Sequence, residues 1–197
     1  QPEKREEVKQ ISIALIDDEE SVVKYLRKRL ERRGYHVDGY TDPEAAKQFV
    51  ESRQIEGENL KRDLLGKLDY MERLVSEVEE RSPQVISEYR IKLEDKIREL
   101  LASAAIDENR IATEVTIFAD KICVDEETVR LRSHISNTRK ELTEGGSIGR
   151  KLDFIAQEMN REANTILSKA NDLEISQRAI ALKTEVEKVR EQIQNIE

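Results

Sequence analysis

The sequence predicts a mainly α protein, with a long antiparallel helical hairpin, a helical bundle and a small β-α-β remnant at the N-terminus. Three observations carry that expectation. Charged residues make up 39% of the 197 residues and aromatics only 4%, a balance that suits long helices better than sheets. From Leu64 onward, apolar residues recur at alternating steps of four and three, the period of a helical seam. Strand candidates are confined to the start, the apolar, β-branched run at 11–16 and the stretch 35–40. The expected divisions are 1–42 for the β-α-β segment, 43–106 for the hairpin and 107–197 for a helical domain.

In chain order, ISIALI at 11–16 reads as a buried strand, and Asp17, Asp18, Glu19 and Glu20 follow it. A helix is expected over about 21–33, with Val23, Leu26 and Leu30 inward and Gly34 as its stop. Residues 35–40 suit a second strand. Asp42-Pro43-Glu44 is a helix start: a side-chain cap, proline at the first helical position and an acid in the first turn. Leu64, Leu68, Met71, Val75 and Val78 form a seam, and Ile86, Tyr89, Leu93, Ile97 and Leu100 continue it. Ser82-Pro83 between them reads as a break and restart, hence a hairpin. Gly57 offers a bend or a close approach.

Asp107 is expected to cap the next helix, which turns Ile111, Val115, Phe118 and Ile122 inward. Asp125 caps another, with Val124 and Val129 as a hydrophobic staple. On it Leu131, Ile135 and Leu142 face inward, while Glu127, Arg130 and His134 form one exposed stripe. Cys123 has no activating neighbour and reads as a small buried hydrophobe. The last helix carries Ile175, Ala179, Leu182, Val186, Val189, Ile193 and Ile196, a seam that needs a partner.

The chain is organised around GGSIGRKLDFIAQEMNREANTILSKAN at 145–171. Its glycines predict a sharp turn. Leu152, Ile155, Met159, Ala163 and Ile166 then define the buried face of a helix over about 150–170. The rest of that helix is chemically unusual. Asp153, Gln157, Asn160 and Asn164 form one polar stripe, and Glu158, Glu162 and Lys169 form a second on the other side of Phe154. Asparagine is a mediocre helix former, so two in mid-helix suggest hydrogen bonding or ligation. The residues alone leave both an interhelical polar network and a binding site open.

Net charge is −8, so no overall basic field attracts nucleic acid, and an RNA contact needs a local patch. One cysteine excludes an intrachain disulfide and fits a reducing cytoplasm. No apolar run approaches the roughly 18 residues of a membrane span, so no membrane partner is expected. No nucleophile elbow, P-loop, HExxH or paired CxxC occurs. Two polar faces are candidates to converge: Glu127/Arg130/His134 and Asp153/Glu158/Glu162, with Arg150, Lys151, Arg161 and Lys169 around them. Carboxylates with a histidine can hold a divalent ion, and arginine forks and lysines suit phosphate.

Two resemblances add to this reading. The opening IALIDDEESVVKYLRKRLERRGYHVDGYTDPEAA resembles a response-regulator receiver domain, with Asp17 and Asp18 in place of that family's acidic pair. The third strand and acceptor aspartate do not follow, so a relic without phosphorylation is expected. Residues 51–197 resemble the C-terminal part of the YicC/YloC family of bacterial endoribonucleases. The likeness runs through ESRQIEGENLKRDLL, ISEYRIKLEDKIREL and EETVRLRSH, and is strongest in GGSIGRKLDFIAQEMNREANTILSKAND and REQIQNIE.

That likeness implies metal-dependent endonucleolytic cleavage of RNA by a cytoplasmic homo-oligomer, with Mn²⁺ or Mg²⁺ as cofactor and no role for DNA. Carried over by position, the motif residues include Glu126 and Ser168. Glu127, His134, Asp153, Glu158 and Glu162 are the expected catalytic residues, with Glu127, His134, Glu158 and Glu162 as metal ligands. Arg130, Arg150, Lys151, Gln157, Asn160, Arg161, Asn164 and Lys169 are the expected RNA contacts. Two departures stand out: Cys123 occupies a position where an aspartate is expected, and the receiver-like segment stands where the family carries a larger N-terminal domain. The competing reading is a non-catalytic helical oligomerisation module fused to a degenerate receiver fragment.

Overall fold

The computed structural model describes residues 12–101, 108–146 and 148–194. Among them the order is β1 (Ser12–Ile16), α1 (Glu20–Glu31), β2 (His36–Tyr40), α2 (Pro43–Leu101), α3 (Glu108–Ile122), α4 (Asp125–Glu144), α5 (Gly149–Lys169) and α6 (Leu173–Ile193). The mainly α expectation holds. The chain divides into two compact units, Gln1–Asn59 and Leu60–Glu197. Expectations resting on Ile11, Asp107 and Ile196, and on the side chain of Leu100, lie outside the described residues. No helix among the described residues is long and apolar enough to cross a membrane.

In the first unit, β1 and β2 pair in parallel, with Ser12 opposite His36 and Ile16 opposite Tyr40. Parallel neighbours need a crossover, and α1 supplies it. Val23 of α1 is buried, and a Cβ at Gly39 would lie 2.5 Å from its Cγ1, so glycine is what lets α1 sit against β2. Gly34 ends the α1 turn at φ +88°. Asp17 serves local structure: its Oδ1 accepts from the Glu19 N–H at 2.9 Å. Asp42 caps α2 as expected, accepting from the Glu44 N–H at 3.1 Å, with Pro43 as the first helical residue.

The expected hairpin does not form. α2 runs for 59 residues straight through Ser82-Pro83. An interior proline removes one backbone hydrogen bond and costs roughly 3 kcal/mol. Packing on both sides of it offsets that loss. Leu64, Leu68, Met71, Val75 and Val78 before Pro83, and Val85 after it, are buried in one core with α4, α5 and α6. The seam before Pro83 is thus covered by those three helices, not by residues 86–100. Beyond Pro83, Tyr89 stacks on Phe118 of α3 with ring centroids 3.8 Å apart. A methyl group placed on Gly57 would meet no atom within 4 Å, so no close approach occurs there.

The second unit is a four-helix bundle with α3 added. Ion pairs give its directions. Arg132 meets Glu79 and Arg139 meets Asp69 and Glu72, so α4 runs antiparallel to α2. Arg178 meets Glu77, and Gln192 bonds to Asp63, so α6 is antiparallel to α2 as well. Lys151 meets Glu141 at one end and Lys169 meets Glu127 at the other, so α5 is antiparallel to α4. Asn160 bonds to Glu187 and Arg190 to Asp153, which sets α5 antiparallel to α6. α5 therefore sits diagonally across from α2, flanked by α4 and α6. Such rim pairs set register and add little stability individually. The stability comes from the apolar stripes of the four helices. The α4–α5 turn uses Gly145 and Gly146 at φ +71° and +92°, a region where other residues are strained.

Three local expectations are corrected. Asp125 is the first helical residue of α4, and Val124 precedes it as the cap position without a capping side chain. Val129 is exposed, so the staple does not form: burying Thr128, Leu131 and Ile135 turns Val129 outward. Cys123 is exposed rather than buried, because its neighbours Ile122 and Val124 take the inward positions at the α3–α4 junction.

Candidate functional site

Because α5 has neighbours on both flanks, its two polar stripes face different helices. The buried face is the expected one: Leu152, Ile155, Met159, Ala163 and Ile166 are all in the core. The stripe toward α6 is a hydrogen-bonded network. Asp153 accepts from Arg190 Nε at 2.9 Å through one carboxylate oxygen and from Gln157 Nε2 at 2.7 Å through the other. Asn160 donates to Glu187 at 3.0 Å, and Asn164 donates to Asn160 at 3.4 Å. Hydrogen bonding to Asp153, and then its charge, raises the Arg190 pKa. The structure does not bring Asp153 to the other expected catalytic residues; its carboxylate holds α5 to α6.

The stripe toward α4 is different. Glu162 is 1% exposed and Glu127 is 4% exposed, so the expected solvent stripe of Glu127, Arg130 and His134 is partly buried. α4 turns Glu127 inward because it lies one helical turn from Leu131, on the flank of the core stripe. Arg130 bridges the two buried acids. Its Nε lies 3.1 Å from Glu162 Oε2 and its Nη2 lies 3.4 Å from Glu127 Oε1, while Nη1 reaches Glu126 at 3.1 Å. Hydrogen bonding to Glu162 first, and then to Glu126, raises the Arg130 pKa. Lys169 Nζ donates to Glu127 Oε1 and to the Cys123 carbonyl, both at 3.0 Å. The residue at position 123 thus contributes its backbone to the site.

One oxygen of each buried acid is left over. Glu127 Oε2 and Glu162 Oε1 are buried with no hydrogen-bond partner. Arg161 Nη2 lies 3.6 Å from Glu162 Oε1, beyond hydrogen-bonding range. A buried carboxylate oxygen without a donor is costly and calls for a cation or a water. His134, Glu158 and Glu162 each offer a ligand atom, and these atoms lie within 4.8 Å of one another. Two carboxylates and an imidazole make a mixed oxygen and nitrogen donor set, which fits a first-row divalent ion and suits Mn²⁺ better than Mg²⁺. Three of the four expected metal ligands therefore converge. Glu127 stays apart, engaged with Arg130 and Lys169.

The expected RNA contacts divide in the same way. Arg130, Arg161 and Lys169 surround the acid cluster, with Arg161 exposed and 3.3 Å from Glu158. Arg150 is exposed at the start of α5, and Lys151 pairs with Glu141 at 2.6 Å. Gln157, Asn160 and Asn164 belong to the α6 network. Ser168 caps locally, donating to the Thr165 carbonyl at 2.8 Å. The sequence reading missed Glu187 and Arg190, which occupy the amide stripe. Their spacing of three on the polar side of α6 was the available signal.

A family model described as endoribonuclease YicC-like, C-terminal, matches residues 78–197. A probable endoribonuclease YicC of Clostridioides difficile (strain 630) is 47% identical over 148 residues, covering 75% of this chain and 50% of that protein. A probable endoribonuclease YicC of Haemophilus influenzae (strain Rd) is 38% identical over 149 residues, covering 76% of this chain and 51% of that protein. The chain thus spans about half the length of these curated relatives. The receiver-like likeness gains no support from them. With the family model matching well over half of its length, the chain belongs to the YicC-like endoribonuclease family through that family's C-terminal region.

Proposed function

We propose that this chain carries the metal-binding part of an endoribonuclease and hydrolyses RNA phosphodiester bonds. The observation that carries the reading is the convergence of His134, Glu158 and buried Glu162, whose Oε1 has no hydrogen-bond donor. These three residues would hold a divalent ion, Mn²⁺ or Mg²⁺, supplying Lewis-acid stabilisation of charge on a phosphodiester. The protein's own groups do the rest. Arg130 holds Glu162 in place through an ion pair, with Nε 3.1 Å from Oε2. Lys169 and Arg130 together hold Glu127, which keeps α4 and α5 in register beside the cluster. Arg161 and Arg150 are exposed near this face, where a guanidinium fork suits phosphate oxygens.

RNA is the partner, and the same reading includes a cytoplasmic homo-oligomer. The test is cleavage of a labelled RNA by purified protein across a Mn²⁺ series, with His134→Ala and Glu158→Ala beside the parent. Loss of cleavage in both variants with helicity intact is expected. Absence of cleavage by the parent at every metal concentration overturns the reading for this chain.

A second reading is favoured by the half-length match to the relatives. In it the chain is a helical assembly module whose catalysis needs a further domain. It requires oligomers by light scattering and no nuclease activity from the chain by itself.

A further inference from the structure

The chain has three phenylalanines, and two of them are ring-paired. Phe49 packs on Tyr40 with centroids 5.3 Å apart, and Phe118 stacks on Tyr89. Phe154 has no ring partner among the described residues and is 63% exposed. Its position on α5 is informative. Leu152, Ile155, Ala156, Met159, Ala163 and Ile166 are all buried, so the helix places every neighbouring core residue inward and leaves this one ring in water. A solitary exposed apolar side chain is ordinary on a protein surface. What sets Phe154 apart is its surroundings. Glu158, a member of the candidate metal cluster, lies one turn away at i+4, which places Cβ atoms about 6 Å apart. Arg150 at i−4 and Arg161 at i+7 extend the same exposed row on either side, and both are exposed. The row therefore reads arginine, aromatic ring, metal-cluster carboxylate, arginine.

We infer that Phe154 is a stacking platform for an unpaired RNA base, holding the nucleotide next to the phosphate presented to the His134, Glu158 and Glu162 cluster. The inference rests on the endoribonuclease reading and adds a substrate feature to it: a single-stranded segment at the cleavage position. Every base has a π face, so a phenyl ring binds unpaired bases without sequence preference, while a paired base keeps its faces in the duplex. The flanking arginines supply the charge that an isolated apolar ring lacks, and phosphates on either side of the stacked base lie within reach of their forks. A protein of net charge −8 needs such a local arrangement to hold a polyanion. Phe154 is a binding and positioning residue here, with no part in proton or metal chemistry.

The experiment uses the full chain and a short single-stranded RNA carrying one 2-aminopurine. Affinity is measured by anisotropy in EDTA, where no cleavage occurs, and stacking by quenching of the 2-aminopurine. Phe154→Ala is expected to weaken binding roughly 5- to 100-fold, the range for loss of one base–aromatic stack, and to abolish the quench. Phe154→Trp restores both. A fully paired duplex of the same sequence shows no difference between parent and Phe154→Ala. If the parent binds and cleaves RNA but Phe154→Ala binds equally well, the stacking role is overturned and the endoribonuclease reading stands. If Phe154→Ala changes only the mass seen by light scattering, the ring is a contact between copies of the chain, and the stacking role is again overturned. If the parent neither binds nor cleaves RNA, both proposals fail together.

Discussion

Glu162→Gln separates a metal ligand from a structural carboxylate. Gln has nearly the same shape, so the substitution removes charge without opening a cavity. Two effects then oppose each other in metal-free protein. The charge-assisted bond from Arg130 Nε to Oε2 at 3.1 Å is weakened, and such bonds are worth about 1.5–3 kcal/mol at most. Against this, a 1% exposed acid whose Oε1 has no donor no longer has to be buried as an anion, a penalty of several kcal/mol when uncompensated. The net change in EDTA should stay within about 1 kcal/mol. Metal changes the comparison. At a Mn²⁺ concentration 100 times its Kd, the parent gains about 2.7 kcal/mol by mass action. For a chain of this size that raises Tm by roughly 5–10 °C. Glu162→Gln should gain almost none of it. The assay is thermal unfolding of both proteins at neutral pH in EDTA and in a Mn²⁺ series. Equal Mn²⁺ shifts in the two proteins would refute the ligand assignment. A loss above about 3 kcal/mol in EDTA would instead make the Arg130 pair the reason for the acid.

Three further outcomes follow from the packing. Asp172 caps α6 by accepting from the Ile175 N–H at 3.0 Å and also pairs with Arg81 at 2.9 Å, so Asp172→Ala should cost about 2 kcal/mol in urea unfolding and Asp172→Asn, which still caps, about 1 kcal/mol. The Arg81 guanidinium, and then the Ile175 N–H, hold the Asp172 carboxyl below its usual range against the opposing effect of burial. A depressed folded pKa gives stability that is present above the unfolded value near pH 4 and lost as pH falls through the folded value, so the Asp172→Asn penalty should shrink below about pH 4. Pro83→Ala should stabilise the chain by about 1–2 kcal/mol, since the interior N–H returns at the cost of some unfolded-state freedom, and a lower Tm would contradict the account of α2. Asp153→Asn should leave RNA cleavage within about twofold of the parent and cost under about 1 kcal/mol, because its half-exposed carboxylate ties α5 to α6; a loss of cleavage comparable to His134→Ala would return it to the site.

Much of the second unit was legible because its helices bury regular stripes. The α5 face from Leu152 to Ile166 and the α6 face from Ile175 to Ile193 could be read from spacing alone. The start of α2 was legible from Asp42-Pro43, where local chemistry decides the outcome. Seam partners were not legible. Periodicity identifies a face that needs cover, and says nothing of which helix covers it, so Pro83 read as a hairpin turn when α4, α5 and α6 supplied the packing that carries the helix through it. The polar stripes of α5 show the same limit. Both read as parts of one functional face, the acidic stripe for metal and the amide stripe for RNA, and their neighbours separate them. Glu187 and Arg190 on α6 occupy the amide stripe, whereas α4 brings His134 and Arg130 to the acidic one. Cys123 and Val129 were misread because a helix junction shifts the phase of the buried face by a residue or two.

The most direct measurement is the rate of RNA cleavage against Mn²⁺ concentration, set beside the Mn²⁺ dependence of Tm for the same protein. One ion held by His134, Glu158 and Glu162 requires the two curves to half-saturate at the same concentration, and requires His134→Ala to move both together. Cleavage that persists in EDTA, or that survives His134→Ala while the thermal shift disappears, would contradict a single site serving both.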